Sequence, residues 1–344
     1  MIAFQIDQIA EIRPQHDALK RVDIPCPEPK ANEVLIRVDY CGVCHTELDE
    51  IEGRALPPNL PVIPGHQVVG EVIACGEQAA PGLLGARVGV AWIGLSCGHC
   101  SYCQHQHENL CPDYQATGKD LNGGYAEFMV ANAEFVIEIP QQIKSEHAAP
   151  LLCAGAIGYR SLSLCELKNG QSLGLTGFGS SGKIALALAR ALYPDSPVFV
   201  FVRSEAERSL ALQAGASWSG DTSEQPPQLL DAVIDTTPVW TPIVRALESL
   251  APNGRLVVNA ISKLDVDQEV LLGLNFKQHL WQEKSLKSVA NVTREDVRAC
   301  LQQIARSDWR PAIEIYPFEQ ANQALVDLKF NPVVAAKVLK LPEH

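Results

Sequence analysis

Residues 172–190 read SLGLTGFGSSGKIALALAR. An apolar strand leads into Gly177, Gly179 and Gly182 in the spacing G-x-G-x-x-G, and a helix rich in alanine and leucine follows. A dinucleotide fingerprint requires this order, because the glycines allow a tight turn and a close approach of the backbone to a pyrophosphate. The pyrophosphate then lies at the amino end of the helix. The stretch predicts a doubly wound parallel sheet with a dinucleotide at this loop.

The same residues also fit part of another phosphate-binding pattern. Gly177 to Lys183 satisfies the first seven positions of the nucleotide-hydrolase loop G-x-x-x-x-G-K-[ST]. The eighth position should carry a hydroxyl for magnesium, but Ile184 occupies it. Since isoleucine cannot bind a metal ion, the dinucleotide interpretation is favoured.

Strands and helices continue to alternate after the glycine loop. Residues 198–204, VFVFVRS, have the composition of a buried parallel strand, and a helix from Glu205 to Ala214 ends at Gly215. The segments 231–235 and 255–259 continue the pattern. Alternation of this kind is typical of a doubly wound sheet with helices on its faces.

The end of the second strand bears on the choice of cofactor. An acidic residue that binds the adenosine ribose is expected about 20 residues after the glycines. The sequence there is Val202-Arg203-Ser204, without an acid. Arg203 could bind a 2′-phosphate, which favours NADP. In the alternative, Arg203 stacks on adenine and Glu205 helps to bind NAD.

Length, composition and charge limit the class of protein. A chain of 344 residues is longer than the length that usually folds around one hydrophobic core, so two domains are expected. Apolar residues make up 47% and charged residues 20%, as in globular proteins. The formal net charge of -12 argues against a nucleic-acid-binding surface, which needs a basic patch.

The sequence also carries expectations about location. The sequence contains no uninterrupted apolar run of about 18 residues, so it predicts no membrane span. The first residues, MIAFQIDQIAEIRP, lack the basic region of a secretory signal. Eleven cysteines without such a signal indicate a reducing compartment, where cysteines bind metals or lie buried more often than they form disulfides. We therefore expect a cytoplasmic protein.

Four cysteines between residues 97 and 111 form the strongest metal-binding signal. Cys97, Cys100, Cys103 and Cys111 follow one another at spacings of three, three and eight. Four close thiolates can surround one tetrahedral zinc ion, which predicts a structural zinc lobe. An iron–sulfur cluster is the competitor, but no fourth cysteine follows at the ferredoxin spacing. A nucleic-acid-binding zinc module is disfavoured by the acidic charge.

Residues 42–49, GVCHTELD, concentrate reactive side chains within one turn. Taken alone, the run could be a polar surface turn. His66 alone could be an ordinary hydrogen-bonding residue, and Cys153, among leucines, an inert buried thiol. Cys44, His66 and Cys153 together would give three protein ligands and one open position, the pattern of a catalytic zinc site.

Six segments together resemble the zinc-containing medium-chain alcohol dehydrogenases. They are GVCHTEL (42–48), PGHQVVGEV (64–72), the lobe CGHCSYC (97–103) closed by Cys111, LLCAG (151–155), GFGSSG (177–182) and YPFEQANQAL (316–325). The resemblance implies an α/β protein with a GroES-like, mainly β catalytic domain formed by residues 1–152 and 296–344. A Rossmann dinucleotide-binding domain, residues 153–295, would be inserted between them. It also implies a homodimer or homotetramer joined through the inserted domain.

The resemblance further implies two zinc ions per chain. Cys44, His66 and Cys153 match the ligands of the catalytic zinc, and the four lobe cysteines match those of the structural zinc. The implied reaction is reversible hydride transfer between a primary or secondary alcohol and NADP or NAD. The partners would be small alcohols and aldehydes, with no nucleic acid and no membrane.

Other matching residues acquire expected roles in the same way. His45 matches a residue that contacts the cofactor pyrophosphate, alongside Gly177, Gly179, Gly182 and Arg203. Thr46 matches the hydroxyl that bonds to the alcohol and relays its proton. Trp92 falls where the family has an aromatic wall of the substrate pocket.

The sequence departs from the family pattern at three positions. Many relatives end the proton relay at a histidine, where this chain has Asp49. Either this aspartate accepts the proton, or Thr46 passes it through the cofactor ribose to water. A glutamate after the ligand histidine is replaced by Gln67, so an anionic group near the metal is missing. The usual aspartate behind the metal is Glu47, which is one methylene longer.

Three alternative functions stay open from the sequence. A polyol or sugar dehydrogenase of the same superfamily would use the same chemistry with a more polar pocket. A non-catalytic zinc or redox-sensing protein could have kept the fold, although the intact ligands argue against it. A nucleotide hydrolase, built on the partial phosphate-loop match, is least favoured.

Overall fold

The computed structural model describes residues 1–331 and 335–342 and, at Pro81, the backbone only. The chain forms two compact units. The terminal unit comprises Met1–Cys153 and Asn291–His344, and the inserted unit comprises Ala154–Ala290. The predicted boundaries, 1–152 with 296–344 and 153–295, remain a prediction about which part carries which function.

The elements before residue 154 belong to the terminal unit. They are β1 (Ile2–Gln5), β2 (Lys20–Asp23), β3 (Glu33–Val43), α1 (His45–Ile51), β4 (Val68–Cys75), β5 (Arg87–Val90), β6 (Ile93–Leu95), α2 (Ser101–Gln104), β7 (Gln115–Ala116), β8 (Phe128–Asn132), β9 (Val136–Glu138) and α3 (Ser145–Ala148).

The inserted unit follows. Its elements are α4 (Ala154–Cys165), β10 (Leu173–Thr176), α5 (Ser180–Leu192), β11 (Val198–Phe201), α6 (Glu205–Gln213), β12 (Trp218–Gly220), β13 (Leu230–Asp235), α7 (Thr241–Ser249), β14 (Leu250–Val258) and β15 (Ser285–Ser288).

The chain then returns to the terminal unit. The remaining elements are α8 (Arg294–Ala305), β16 (Ile313–Pro317), α9 (Ala321–Phe330) and β17 (Ala336–Lys340). Short 3-10 segments lie at Pro81–Leu83, Glu108–Leu110, Ala149–Leu152, Asp265–Gly273 and Phe318–Gln320, and a π-helical turn at Phe276–Leu280.

The main sheet of the terminal unit is built around β3. Its order is β16-β17-β3-β4-β5-β9, with β8 also paired to β3. The buried residues Val34, Ile36 and Val38 alternate along β3, whereas Arg37 pairs with Glu71 across a 2.7 Å contact. Burial at alternate positions is that of a strand with one face in the core, and Leu35 on the other face is also buried. The strand extends to Val43 because β4 and β17 both pair with its second half, and it leads directly into Cys44.

The sheet of the inserted unit has the order β12-β11-β10-β13-β14-β15, and all neighbouring strands are parallel. All residues of β10 and β11 are buried, as expected for strands at the centre of a parallel sheet. The predicted doubly wound fold is therefore confirmed. The glycine loop lies at the carboxyl end of β10, next to the point where the strand order reverses, the usual place for a dinucleotide.

In the described part of the chain, no single helix is long and apolar enough to span a membrane. One consecutive pair of helices, Ser145–Leu152 with Ala154–Cys165, reaches that length and apolarity together, by length and composition only.

Candidate active site

Cys44 connects β3 to helix α1. It has an extended backbone, with φ -125° and ψ 162°, and is the N-cap residue of α1. Its N–H donates to Oε2 of Glu47 across 2.8 Å, so the carboxylate in the first turn fixes the start of the helix. This contact fixes the backbone of Cys44 directly after the last residue of β3.

His66 follows a turn that only glycine can make. Gly65 has φ +100°, and a Cβ there would come within 2.4 Å of the ring of Tyr125. His66 itself is completely buried, and its Nδ1 lies 2.7 Å from Oε1 of Glu47. Its Nε2 has no hydrogen-bond partner among the residues that the structure describes. A carboxylate behind one ring nitrogen and a free second nitrogen is the arrangement of a metal-binding histidine.

Cys153 directly follows the 3-10 segment Ala149–Leu152 and completes a three-residue cluster. The donor atoms of Cys44, His66 and Cys153 all lie within 4.8 Å of one another. The pKa of the Cys44 thiol lies well below its ordinary value, mainly because Cys153 hydrogen-bonds to it, although burial opposes this and His66 supports it. Two sulfurs and one imidazole nitrogen fit zinc with an open fourth position. We call these three residues the metal trio.

The lobe cysteines form a second cluster of donor atoms within 4.8 Å of one another. The N–H of Cys100 donates to Sγ of Cys97, and the N–H of Cys97 donates to Sγ of Cys111, each across 3.4 Å. Hydrogen bonds from the backbone, first that of His99, lower the pKa of Cys97 to about 6. The thiolate is the form that binds metals, so the chemistry of the cluster fits a structural zinc ion.

An ion pair fixes the lobe to the rest of the terminal unit. Glu108, near the fourth cysteine, is buried, and Arg294 at the start of α8 binds both of its carboxylate oxygens: Nε donates to Oε1 at 3.0 Å and Nη2 donates to Oε2 at 2.7 Å. The guanidinium also lies 4.5 Å from the ring centroid of Phe135. Sequence reasoning missed this pair, because the two residues are 186 positions apart and no local pattern links them.

Of the remaining predicted site residues of the terminal unit, Thr46 and Trp92 contact the metal trio. Thr46 is buried, with its hydroxyl 3.6 Å from Sγ of Cys44. The ring of Trp92 packs edge-on against His66, with the centroids 4.7 Å apart. His45 is exposed, and Asp49 is half-buried, with Oδ1 2.6 Å from Nε of Arg54. The structure thus brings Thr46 and Trp92 to the trio.

The glycine loop of the inserted unit has the shape that a pyrophosphate needs. Gly177 has φ +85°, and a Cβ there would lie 2.6 Å from Oγ1 of Thr236. A Cβ on Gly182 would lie 2.5 Å from the carbonyl oxygen of Gly177, so the helix packs directly on the loop. At Gly179 a Cβ would meet no described atom within 4 Å. This open position at the amino end of α5 is room that a cofactor can occupy.

The comparisons with known proteins agree with this geometry. Residues 30–141 match the family profile described as "Alcohol dehydrogenase GroES-like domain". "Probable alcohol dehydrogenase AdhA" of Mycobacterium tuberculosis is 42% identical over 326 residues, which cover 93% of this chain and 92% of that protein. An "Alcohol dehydrogenase" of Geobacillus stearothermophilus is 31% identical over 339 residues, with 95% and 96% covered.

A solved structure shows the same architecture. The cinnamyl alcohol dehydrogenase of Sorghum bicolor superposes with a TM-score of 0.83 at 27% identity, covering 98% of this chain and 97% of that one. The chain belongs to the zinc-containing medium-chain alcohol dehydrogenase family. The predicted family, and with it the combination of a GroES-like domain with a doubly wound domain, is confirmed.

Proposed function

We propose that the protein is a zinc-dependent alcohol dehydrogenase that transfers a hydride between a primary or secondary alcohol and NADP. The observation that carries this proposal is the metal trio, whose donor atoms lie within 4.8 Å, with the hydroxyl of Thr46 3.6 Å from Sγ of Cys44. The relatives named as alcohol dehydrogenases support it. A hydroxyl beside a site with an open position can bond to the oxygen of a bound alcohol.

Each residue of the proposed site would have a separate role in this reaction. When bound, zinc would supply Lewis acidity that lowers the pKa of an alcohol hydroxyl, and the nicotinamide would accept the hydride. Thr46 would accept the hydroxyl proton and pass it on, and Trp92 would exclude water and shape the pocket. The loop around Gly179 would hold the pyrophosphate, with His45 as a further contact. Glu47 would orient the imidazole of His66.

A substrate panel tests the proposal. Ethanol, longer primary alcohols, a secondary alcohol, benzyl alcohol and sorbitol are assayed with NADP and with NAD, before and after removal of zinc by a chelator. We expect oxidation of simple alcohols that is lost with the metal and returns when zinc is added. Activity confined to sorbitol would favour a polyol dehydrogenase. One zinc per chain with no turnover would favour a non-catalytic protein, and zinc-independent ATP hydrolysis a hydrolase.

Arg203 is proposed to select NADP. It follows β11 and is exposed, and its guanidinium has no ion-pair partner among the described residues. The neighbouring Arg208, by contrast, contacts Glu205 at 3.3 Å and Asp221 at 3.7 Å. Arg203 is therefore free to bind a 2′-phosphate.

We expect Arg203→Ala to raise the KM for NADP by about 10- to 100-fold, the loss of one or two hydrogen bonds to a charged group. The KM for NAD should change by less than about threefold. Steady-state kinetics with both cofactors measure this, and Arg21→Ala, at an exposed arginine of β2, is the control. A strong preference of the unmodified enzyme for NAD would contradict the assignment.

Asp49 is proposed to accept the relayed proton. Asp49→Asn is expected to lower turnover at pH 7 by roughly 100-fold, the lower end of the range for a general base, and less at high pH, where hydroxide replaces it. Turnover measured between pH 6 and 10 tests this. Glu52→Gln is the matched control, because Glu52 binds the same Arg54 at 2.6 Å. Unchanged turnover and pH profile in the Asp49→Asn enzyme would show that the proton leaves by another route.

The inserted unit carries an edge that fits a homodimer or homotetramer. Its last strand, β15, is exposed at all four residues and pairs with β14 in the described part of the chain. Leu272, Phe276 and Trp281 nearby in sequence are 91%, 63% and 56% exposed. An open strand edge beside large apolar side chains favours association. Light scattering of the purified protein tests this, and a monomer at micromolar concentration would contradict it.

A further inference from the structure

Asp235 is a completely buried carboxylate at the carboxyl end of β13. Its Oδ1 accepts hydrogen bonds from the hydroxyl of Thr176, the last residue of β10, and from the hydroxyl and the N–H of Thr237, at 2.8 and 3.3 Å. Its Oδ2 forms an ion pair with Nζ of Lys263. One carboxylate therefore connects the end of β10, the loop after β13 and the loop after β14.

Lys263 spends its whole ammonium group on these contacts. Its side chain is only 9% exposed, and besides Asp235 its Nζ donates to the carbonyl oxygens of Thr237 and Val239, at 2.6 and 3.1 Å. Carbonyl oxygens only accept, and an ammonium has three N–H groups, so all three are used within the protein. Lys263 thus shapes the loops around it and keeps no donor for a ligand.

The two connected loops, residues 236–240 and 259–264, lie at the carboxyl edge of the parallel sheet, beside the glycine loop. The hydroxyl of Thr236 donates to the carbonyl oxygen of Thr176 at 2.8 Å, and a Cβ on Gly177 would lie 2.6 Å from that hydroxyl. The N–H of Leu264 donates to the carbonyl oxygen of Pro238 at 2.7 Å. Ligands of parallel sheets bind in the crevice outside this edge.

The strand order indicates which part of a dinucleotide these loops would receive. In the order β11-β10-β13-β14, the strand that leads to Arg203 lies on one side of β10, and β13 and β14 lie on the other. With the pyrophosphate at the glycine loop and the adenosine 2′-phosphate at Arg203, the nicotinamide half extends over the loops 236–240 and 259–264. This step rests on the proposed function, since it requires the dinucleotide.

We propose that Asp235 and Lys263 are a positioning pair for the nicotinamide half of the cofactor. The ion pair fixes the loops 236–240 and 259–264 in the shape that receives this half, and neither residue contacts the cofactor. A buried ion pair seldom adds stability over apolar residues of the same volume, so a role in fixing one geometry accounts for it better. No local pattern predicts the pair, because the two residues belong to loops after different strands.

Two ligands distinguish positioning from general stability. Lys263→Met keeps an unbranched side chain and removes the ammonium. We expect it to bind NADP about 10-fold more weakly, since ordering one freed loop residue on binding costs about this factor. Adenosine 2′,5′-bisphosphate, the part of NADP without the nicotinamide half, should bind as tightly as it does to the unmodified protein. Isothermal titration calorimetry measures both affinities, and Arg203→Ala should weaken both.

A double variant separates cofactor affinity from folding. Lys263→Met leaves a buried carboxylate unpaired, which should lower the Tm. Adding Asp235→Asn removes that charge and should restore part of the Tm, while NADP binding stays weak because no ammonium holds the two loops together. This double variant also carries the test if the single variant does not fold. Recovery of NADP affinity in parallel with the Tm would show that the pair serves stability alone.

Lys284→Met is the matched control. Lys284 lies in the same unit, and its Nζ donates to the carbonyl oxygens of Leu247 and Gln278, at 2.7 and 2.9 Å. It directly precedes β15, which runs parallel to β14, so it lies at the opposite, amino edge of the sheet. Its loss should lower the Tm and leave the affinities for NADP and for the bisphosphate unchanged.

The outcomes also separate this inference from the proposed function. Unchanged NADP affinity in Lys263→Met, or an equal loss of affinity for NADP and for the bisphosphate, would overturn the inference and leave the proposed function intact. If the unmodified protein binds NAD in place of NADP, the same comparison is made with NAD and AMP. If it binds neither dinucleotide, the proposed function itself fails.

Discussion

Cys153→Ser should abolish alcohol oxidation, with a loss of roughly a thousandfold or more, and lower the zinc content from two ions per chain to one. The hydroxyl of serine does not ionise at neutral pH, so only Cys44 and His66 would remain as strong ligands. Two ligands do not hold zinc against dilution, and Lewis acidity worth several kcal/mol is lost with it, which corresponds to about this factor in rate. Turnover and metal analysis on the same preparation test the prediction.

A buried thiol outside both clusters provides the control. Cys165 in α4 is completely buried, and burial raises its pKa to about 12, so it is an inert thiol. Cys165→Ala should keep both zinc ions and most of the turnover, with a modest loss of stability. If Cys153→Ser retained two zinc ions and full activity, the assignment of the trio as the reaction centre would be wrong.

Cys103→Ser should lower the Tm by roughly 10 °C or more, which is the scale of losing about 3–5 kcal/mol in a unit of about 200 residues. Sγ of Cys103 lies 3.6 Å from that of Cys100 and 4.0 Å from that of Cys97. The substitution therefore removes one of the four thiolates that would bind the metal ion. Structural zinc sites contribute folding free energy directly. Calorimetry and zinc analysis measure the effect.

Loss of zinc from the trio should first abolish turnover, whereas loss of zinc from the lobe should first lower stability. At low temperature the Cys103→Ser protein should retain turnover for as long as it stays folded, whereas the Cys153→Ser protein should be inactive yet stable. Cys26→Ala, at an exposed cysteine, is the control for Cys103 and should alter neither property. An unchanged Tm and zinc content in Cys103→Ser would refute a structural zinc site at the lobe.

Local patterns were enough to predict the elements whose causes are local. The strand, glycine loop and helix at 172–190 are contiguous, and the four lobe cysteines lie within fifteen positions, so spacing alone indicates their geometry. The helix predicted from Glu205 to Ala214 is α6, Glu205–Gln213, because Ser204 and Glu207 form a capping box at its start.

Features that depend on distant parts of the chain could not be predicted in this way. Strand β3 continues to Val43 because β17, almost three hundred positions later in the chain, pairs with its second half. β14 begins at Leu250, earlier than the predicted 255, through an irregular pairing with β13. Glu50 in α1 is completely buried, and its burial depends on packing that no local pattern encodes.

The placement of β17 near the end of the chain determines the order in which parts of this protein can fold. The register pairs Val338 with Gly42 and Lys337 with Val43, so the strand that leads into Cys44 gains this neighbour only after the inserted unit has been translated. Domains generally fold as units while the chain emerges from the ribosome. The inserted unit can therefore fold before β17 pairs with the end of β3 that leads into Cys44. If the trio binds zinc as proposed, zinc insertion is a late step of biogenesis, because a chain stalled on the ribosome before residue 336 lacks the strand that supports Cys44.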